Sequence, residues 1–100
     1  MEIIIAATTD VKPGEMIGIE KEGKSILLAN VAGTYYAIGN VCTHMGCSLS
    51  DGTLDGDAVE CPCHGSIFNV KTGGVNKGPA RDPEPTFALR IDGDKILATI

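Results

Sequence analysis

An all-β fold, an antiparallel sandwich or small barrel, is what this 100-residue chain predicts. Three observations carry that expectation. No window holds a sustained 3.6-residue apolar period, so no amphipathic helix is expected. Short runs rich in Ile, Val, Leu and Thr recur along the chain. Turn signals containing Gly separate them at roughly ten-residue spacing, the rhythm of a sandwich or barrel.

Taken in order, Glu2–Ala7 is a β-branched run that reads as the first strand. Met16–Glu20 and Ser25–Leu28 are apolar stretches joined across Lys21-Glu22-Gly23-Lys24, a hairpin signal. Ala32-Gly33 leads into a strand over Thr34–Ile38, and Ala58–Glu60 forms a short one. Phe87–Ile91 and Ile96–Ile100 flank Asp92-Gly93-Asp94-Lys95. Asp-Gly favours a tight hairpin because both residues tolerate positive φ. Two stretches resist a strand reading, Asn40–Gly56 and Pro62–Pro85, and together they carry most of the Cys and His residues. Long irregular loops in a compact domain are functional or disordered.

The chain is long enough for one core and too short for two, so a single domain over residues 1–100 is expected. Apolar residues make up 43%, which excludes a disordered chain, but there is no Trp and only two Tyr and two Phe. The core must rest on Ile, Val, Leu and Ala, and small cores of that kind draw help from a metal or disulfide. The net charge of −5 argues against nucleic acid or an anionic membrane as partner. The longest apolar runs, such as Ile3–Ala7, fall far short of the roughly 20 residues of a membrane span. The start, MEIIIAATTD, has neither a basic n-region nor a long h-region, which points to the cytoplasm. A monomer is expected. No Lys or Arg lies between Lys24 and Lys71, whereas Asp51, Asp55, Asp57 and Glu60 do. That acidic stretch is either a solvated surface or a docking face for a basic partner.

Four cysteines and two histidines fall in two clusters, Cys42-Thr43-His44-Met45-Gly46-Cys47 and Cys61-Pro62-Cys63-His64-Gly65-Ser66. A single cysteine reads as a small buried apolar residue. Six such residues in two short loops read as one metal site, with thiolates suited to iron, zinc or copper(I) and imidazoles to iron or zinc. A zinc ribbon would use Cys-x2-Cys knuckles. Here the pairs are Cys-x-His, then sixteen residues, then Cys-x2-His. No Ser/His/Asp or paired-carboxylate arrangement calls for substrate chemistry, and Gly73-Gly74 lacks the Gly-Lys-Ser/Thr of a phosphate loop.

This spacing resembles the Rieske 2Fe–2S signature, matched by Cys42, His44, Cys61 and His64. Tyr36-Ala37-Ile38, Cys-Pro-Cys-His-Gly-Ser and Gly78-Pro79-Ala80 match the surrounding pattern, so the likeness is close over residues 33–80 and looser outside. It implies a Rieske-like β-sandwich with a cluster-binding part, about residues 40–85, inserted as two loops. It also implies Cys42 and Cys61 on one iron and His44 and His64 on the other. Two ferric ions, two sulfides and two thiolates leave such a centre formally neutral with neutral imidazoles, so it accepts an electron more readily than an all-cysteine cluster. Each ligating imidazole keeps a second nitrogen, so reduction should couple to protonation at alkaline pH.

The resemblance further implies a Cys47–Cys63 disulfide, which high-potential Rieske proteins of quinol-oxidising complexes carry and oxygenase ferredoxins usually lack. Ser66 matches a hydroxyl that donates to a bridging sulfide, raising the potential. Phe68 stands where those high-potential relatives carry a Tyr whose hydroxyl reaches a ligand sulfur. Pro79, Pro83 and Pro85 match a proline-rich third loop covering the cluster's flank. An intermediate potential is therefore expected. The function implied is one-electron transfer from a reductase to an oxidase or oxygenase, without chemistry of its own. The alternatives are a small Rieske subunit of a molybdenum oxidase or quinol-oxidising complex, and a structural zinc module.

Overall fold

The computed structural model describes residues 1–43 and 46–100. Among the described residues eleven strands run in chain order: β1 (Glu2–Ala7), β2 (Met16–Lys21), β3 (Lys24–Val31), β4 (Thr34–Gly39), β5 (Thr53–Asp55), β6 (Ala58–Glu60), β7 (Ile67–Asn69), β8 (Val75–Lys77), β9 (Thr86–Phe87), β10 (Leu89–Asp92) and β11 (Lys95–Thr99). They form three antiparallel sheets, ordered β1-β11-β10, β2-β3-β4-β9 and β5-β6-β7-β8. Single 3-10 turns occupy Thr8–Asp10 and Leu49–Asp51. Among the described residues no helix is long and apolar enough to cross a membrane.

The run Ile26-Leu27-Leu28-Ala29 organises the molecule. Alternate residues of a strand point to opposite faces, and here all four are fully buried. Ile26 and Leu28 enter one core with Ile5, Val11, Ile19, Ala37, Ile96 and Ala98. Leu27 and Ala29 enter a second with Ile38, Leu49, Val59, Phe68, Val70, Cys42 and Cys61. The β2-β3-β4-β9 sheet is thus a shared wall. The terminal strands cover one face, and the small β5–β8 sheet with the cysteine loops covers the other.

Short turns set the registers. Glu22-Gly23 and Ala32-Gly33 both take positive φ, at 51° and 74° and at 53° and 93°, as two-residue turns of the I′ kind require. Asn30, 2% exposed, anchors the second of these: its Oδ1 accepts the Gly33 amide at 2.8 Å and its Nδ2 donates to the Val11 carbonyl at 2.9 Å. The last hairpin differs from expectation. Asp92 pairs with Lys95, so Gly93-Asp94 turns the chain and, of those two, only Gly93 has positive φ.

Two further corrections concern elements. The stretches read as irregular contain β5, β7 and β8, each of three residues. Segments so brief show no alternation long enough to register as strands, and pairing stabilises them: β5 and β7 flank β6, and β8 pairs with β7. The strand expected over Phe87–Ile91 is broken at Ala88. β9 pairs with β4 whereas β10 pairs with β11, so the chain changes sheets there. The remaining differences are extensions of one to three residues at strand ends, and β11 stops at Thr99, one residue short of the expected end.

Candidate metal centre

Both cysteine clusters close as the same kind of loop. In the first, the Cys42 amide donates to the Cys47 carbonyl at 2.8 Å and the Gly46 amide to the Cys42 carbonyl at 2.9 Å. In the second, the Cys61 amide donates to the Ser66 carbonyl at 2.7 Å and the Gly65 amide to the Cys61 carbonyl at 3.2 Å. Gly46 and Gly65 sit at φ 76° and 77°, a region that side-chain-bearing residues seldom occupy. The base of the first loop is held by a Val41–Ser48 bridge and by Asn40, whose carbonyl accepts the Leu49 amide at 2.7 Å and whose Oδ1 accepts the Ser50 amide at 2.8 Å.

The structure joins the loops through a Cys47–Cys63 disulfide between residues 16 apart in sequence. Cys42 and Cys61 remain as free thiols, each 2% exposed and packed in the second core. The Sγ atoms of Cys47, Cys61 and Cys63 lie within 4.8 Å of one another. Burial pushes the Cys61 thiol above its usual range and the neighbouring Cys42 adds to this, while the amides of Cys63 and His64 pull it down. Those amides favour a thiolate at the same atom. His64 is exposed at the tip of the second loop. His44 lies outside the described residues.

A third segment crosses both loops. Gly78–Pro79 is a cis peptide, and the following Ala80 is buried. The Ala80 amide donates to the Ser66 Oγ at 3.0 Å. Ser66 is fully buried and so far acts only as acceptor, which leaves its hydroxyl proton to donate. Phe68 is fully buried beside Cys42 and Cys61 in the second core. Further along, the Thr43 hydroxyl donates to the Asp82 carbonyl at 2.7 Å. The sequence gives no sign of a role for Glu84, between two prolines. It is 5% exposed, with Oε2 buried and unpartnered, and burial raises its pKa to about 7 although the Thr43 amide pulls it down. The acidic stretch is uneven. Asp51, Asp55 and Glu60 are exposed, but Asp57 is engaged by Asn69 at 3.4 Å and Lys71 at 4.0 Å.

A β-scaffold that presents two buried thiols and an exposed imidazole on disulfide-joined loops defines a metal-binding domain. Residues 1–90 match the Rieske 2Fe-2S domain, and the chain belongs to that family. It is 38% identical over 96 residues to the ferredoxin component of biphenyl 2,3-dioxygenase from Rhodococcus jostii (strain RHA1), covering 96% of this chain and 90% of that one. The Sphingomonas yanoikuyae B1 ferredoxin superposes with a TM-score of 0.93 at 29% identity, over 98% of this chain and 97% of its own. A chain from the complex of reduced oxygenase and oxidised ferredoxin in carbazole 1,9a-dioxygenase gives 0.91 at 34% identity, over 97% and 91%.

The cofactor is accordingly a Rieske-type 2Fe–2S cluster, which displaces the zinc module, and the protein is an electron carrier without substrate chemistry. The donor set suits the group: soft thiols lie buried and an imidazole lies at the surface. When bound, the cluster supplies a site for one electron at a time. The disulfide and the core around Cys42, Cys61 and Phe68 keep water from the thiol side.

Proposed function

We infer that residues 1–100 work as one domain whose cluster-binding part, about residues 40–85, passes single electrons from a reductase to a terminal oxygenase. The two matching loops carry this reading, because they set both thiols in the core and an imidazole at the surface. Cys42 and Cys61 hold one iron and His44 and His64 the other. The Ser66 hydroxyl, whose oxygen accepts the Ala80 amide, would give its proton to cluster sulfur. The edge at His64, exposed at the tip of the second loop, is the place of electron entry and exit. In Cys42→Ser, Cys61→Ser, His44→Ala and His64→Ala, the visible absorption and the paramagnetic resonance of dithionite-reduced protein should be lost, while Ser66→Ala should retain both. An unchanged spectrum in either imidazole variant overturns the ligand set.

The partner presents a basic face to Asp51, Asp55 and Glu60, and added salt weakens the encounter because exposed charges are screened within about 8–10 Å. Asp51→Lys should slow electron transfer more than Asp57→Lys, since Asp57 already faces Lys71. Equal rates for native and Asp51→Lys protein at low salt remove the docking face. The carrier is a cytoplasmic monomer, a state that sedimentation tests directly. A second reading, a small subunit of a larger oxidoreductase, is favoured by the disulfide and by Ser66. Stable co-purification with a large subunit distinguishes it.

A further inference from the structure

Glu84 is buried where a carboxyl is costly. Its Oε2 has no hydrogen-bond partner, and its side chain is shut in on the β4 side, where a methyl group on Gly39 would come 2.5 Å from Oε1. Unpaired buried carboxylates destabilise folds, and an apolar residue of the same size would serve packing better. The backbone around it is nonetheless firmly held. The Glu84 amide donates to the Gly73 carbonyl, and the next carbonyl, Pro85, accepts the Gly39 amide, both at 2.8 Å. This anchoring aims the carboxyl at the first metal loop, where it receives the Thr43 amide. The Thr43 hydroxyl is tied to the same segment through Asp82. Thr43 thus meets this segment twice, through its hydroxyl on the Asp82 carbonyl and through its amide facing the Glu84 carboxyl. Glu84 and Thr43 also share a solvent-facing groove of about 730 Å³ with Cys42, Val41 and Lys24. Lys24 and Glu84 are the charged residues lining it among those described.

We propose that Glu84 is a positioning residue for the metal centre: its buried carboxylate holds the first ligand loop through the Thr43 amide and sets a negative charge beneath that loop, lowering the reduction potential. This rests on Cys42 and His44 being ligands, a reading that Cys42→Ser tests without touching Glu84. Gln keeps an acceptor for the Thr43 amide and removes the charge, whereas Leu removes both.

The test compares cluster-loaded native, Glu84→Gln and Glu84→Leu proteins by cluster half-life against a chelator, hydrogen exchange of segment 41–46, thermal midpoint and reduction potential. Glu84→Leu should lose its cluster roughly five-fold faster and exchange segment 41–46 faster, with no fall in thermal midpoint. Glu84→Gln should restore half-life and protection to near-native values. Both variants should show a higher potential than native protein at about pH 8.5, where the native carboxyl, with its pKa of about 7, is ionised. The proposal fails if Glu84→Leu keeps its cluster as long as native protein. It also fails if the cluster and the thermal midpoint fall together, or if Glu84→Gln loses its cluster and its exchange protection as fast as Glu84→Leu does. Should Glu84→Leu not fold, an unchanged potential in Glu84→Gln is sufficient to overturn it.

Discussion

The two cores meet on opposite faces of one strand and are built on different principles. On the face of Ile26 and Leu28 the filling is aliphatic, drawn from both chain ends, with long strand pairs over β1 and β11. On the face of Leu27 and Ala29 it includes two thiols and one Phe, and the strands are three residues long. Area burial suffices for the first core. The second needs cross-links: the Cys47–Cys63 bond, the Ala80 amide on the Ser66 hydroxyl, and the Thr43 hydroxyl on the Asp82 carbonyl. A fold that must keep thiols available to a metal gives up part of its apolar packing there and replaces it with specific ties.

The sharpest way to break this contrast is a cavity in the aliphatic face. Leu28→Ala should cost about 2–5 kcal/mol in chemical denaturation while leaving the visible spectrum of the folded protein unchanged. A spectrum altered at constant fold would show that the two faces are not separable. On the other face, replacing Cys47 and Cys63 together by Ser should cost about 3 kcal/mol, the closure entropy of a loop of this length. Hydrogen exchange should accelerate around the metal loops and stay slow in β1 and β11.

Glu84 adds a pH signature to the same half. Its carboxyl titrates at about 7 in the folded protein against an ordinary value of 4.5. Between those values the native protein holds a proton that the unfolded chain has released. Stability is therefore greatest below pH 4.5 as far as this group is concerned, falls as pH rises through the window, and levels off above 7. The total is on the order of 3 kcal/mol, and Glu84→Gln should flatten this part of the stability profile. The smallest effect is at Phe68. Phe68→Tyr should raise the reduction potential by some tens of millivolts if the new hydroxyl reaches a ligand sulfur, since about 1.4 kcal/mol corresponds to 59 mV for one electron. A fall, or no change, removes Phe68 as a determinant of the potential.

What the linear chain discloses is what depends on near neighbours. Cys-x-His and Cys-x2-His, each closed by a Gly, announce a metal loop because those donors and that turn residue act within six positions. The Glu22-Gly23 hairpin and the β3 run of four apolar residues are legible for the same reason, as is the all-β character. Folding decided the rest. Glu84 looks like any surface acid between two prolines until β4 and the first loop close around it. Asp57 belongs to the acidic stretch in sequence but faces Lys71 in space. Ser66 acquires its acceptor role only when residue 80 arrives, and β5, β7 and β8 exist only as members of a sheet. Burial, ion pairing and strand pairing are agreements between distant segments, so their energies have no local signature for a single segment to display.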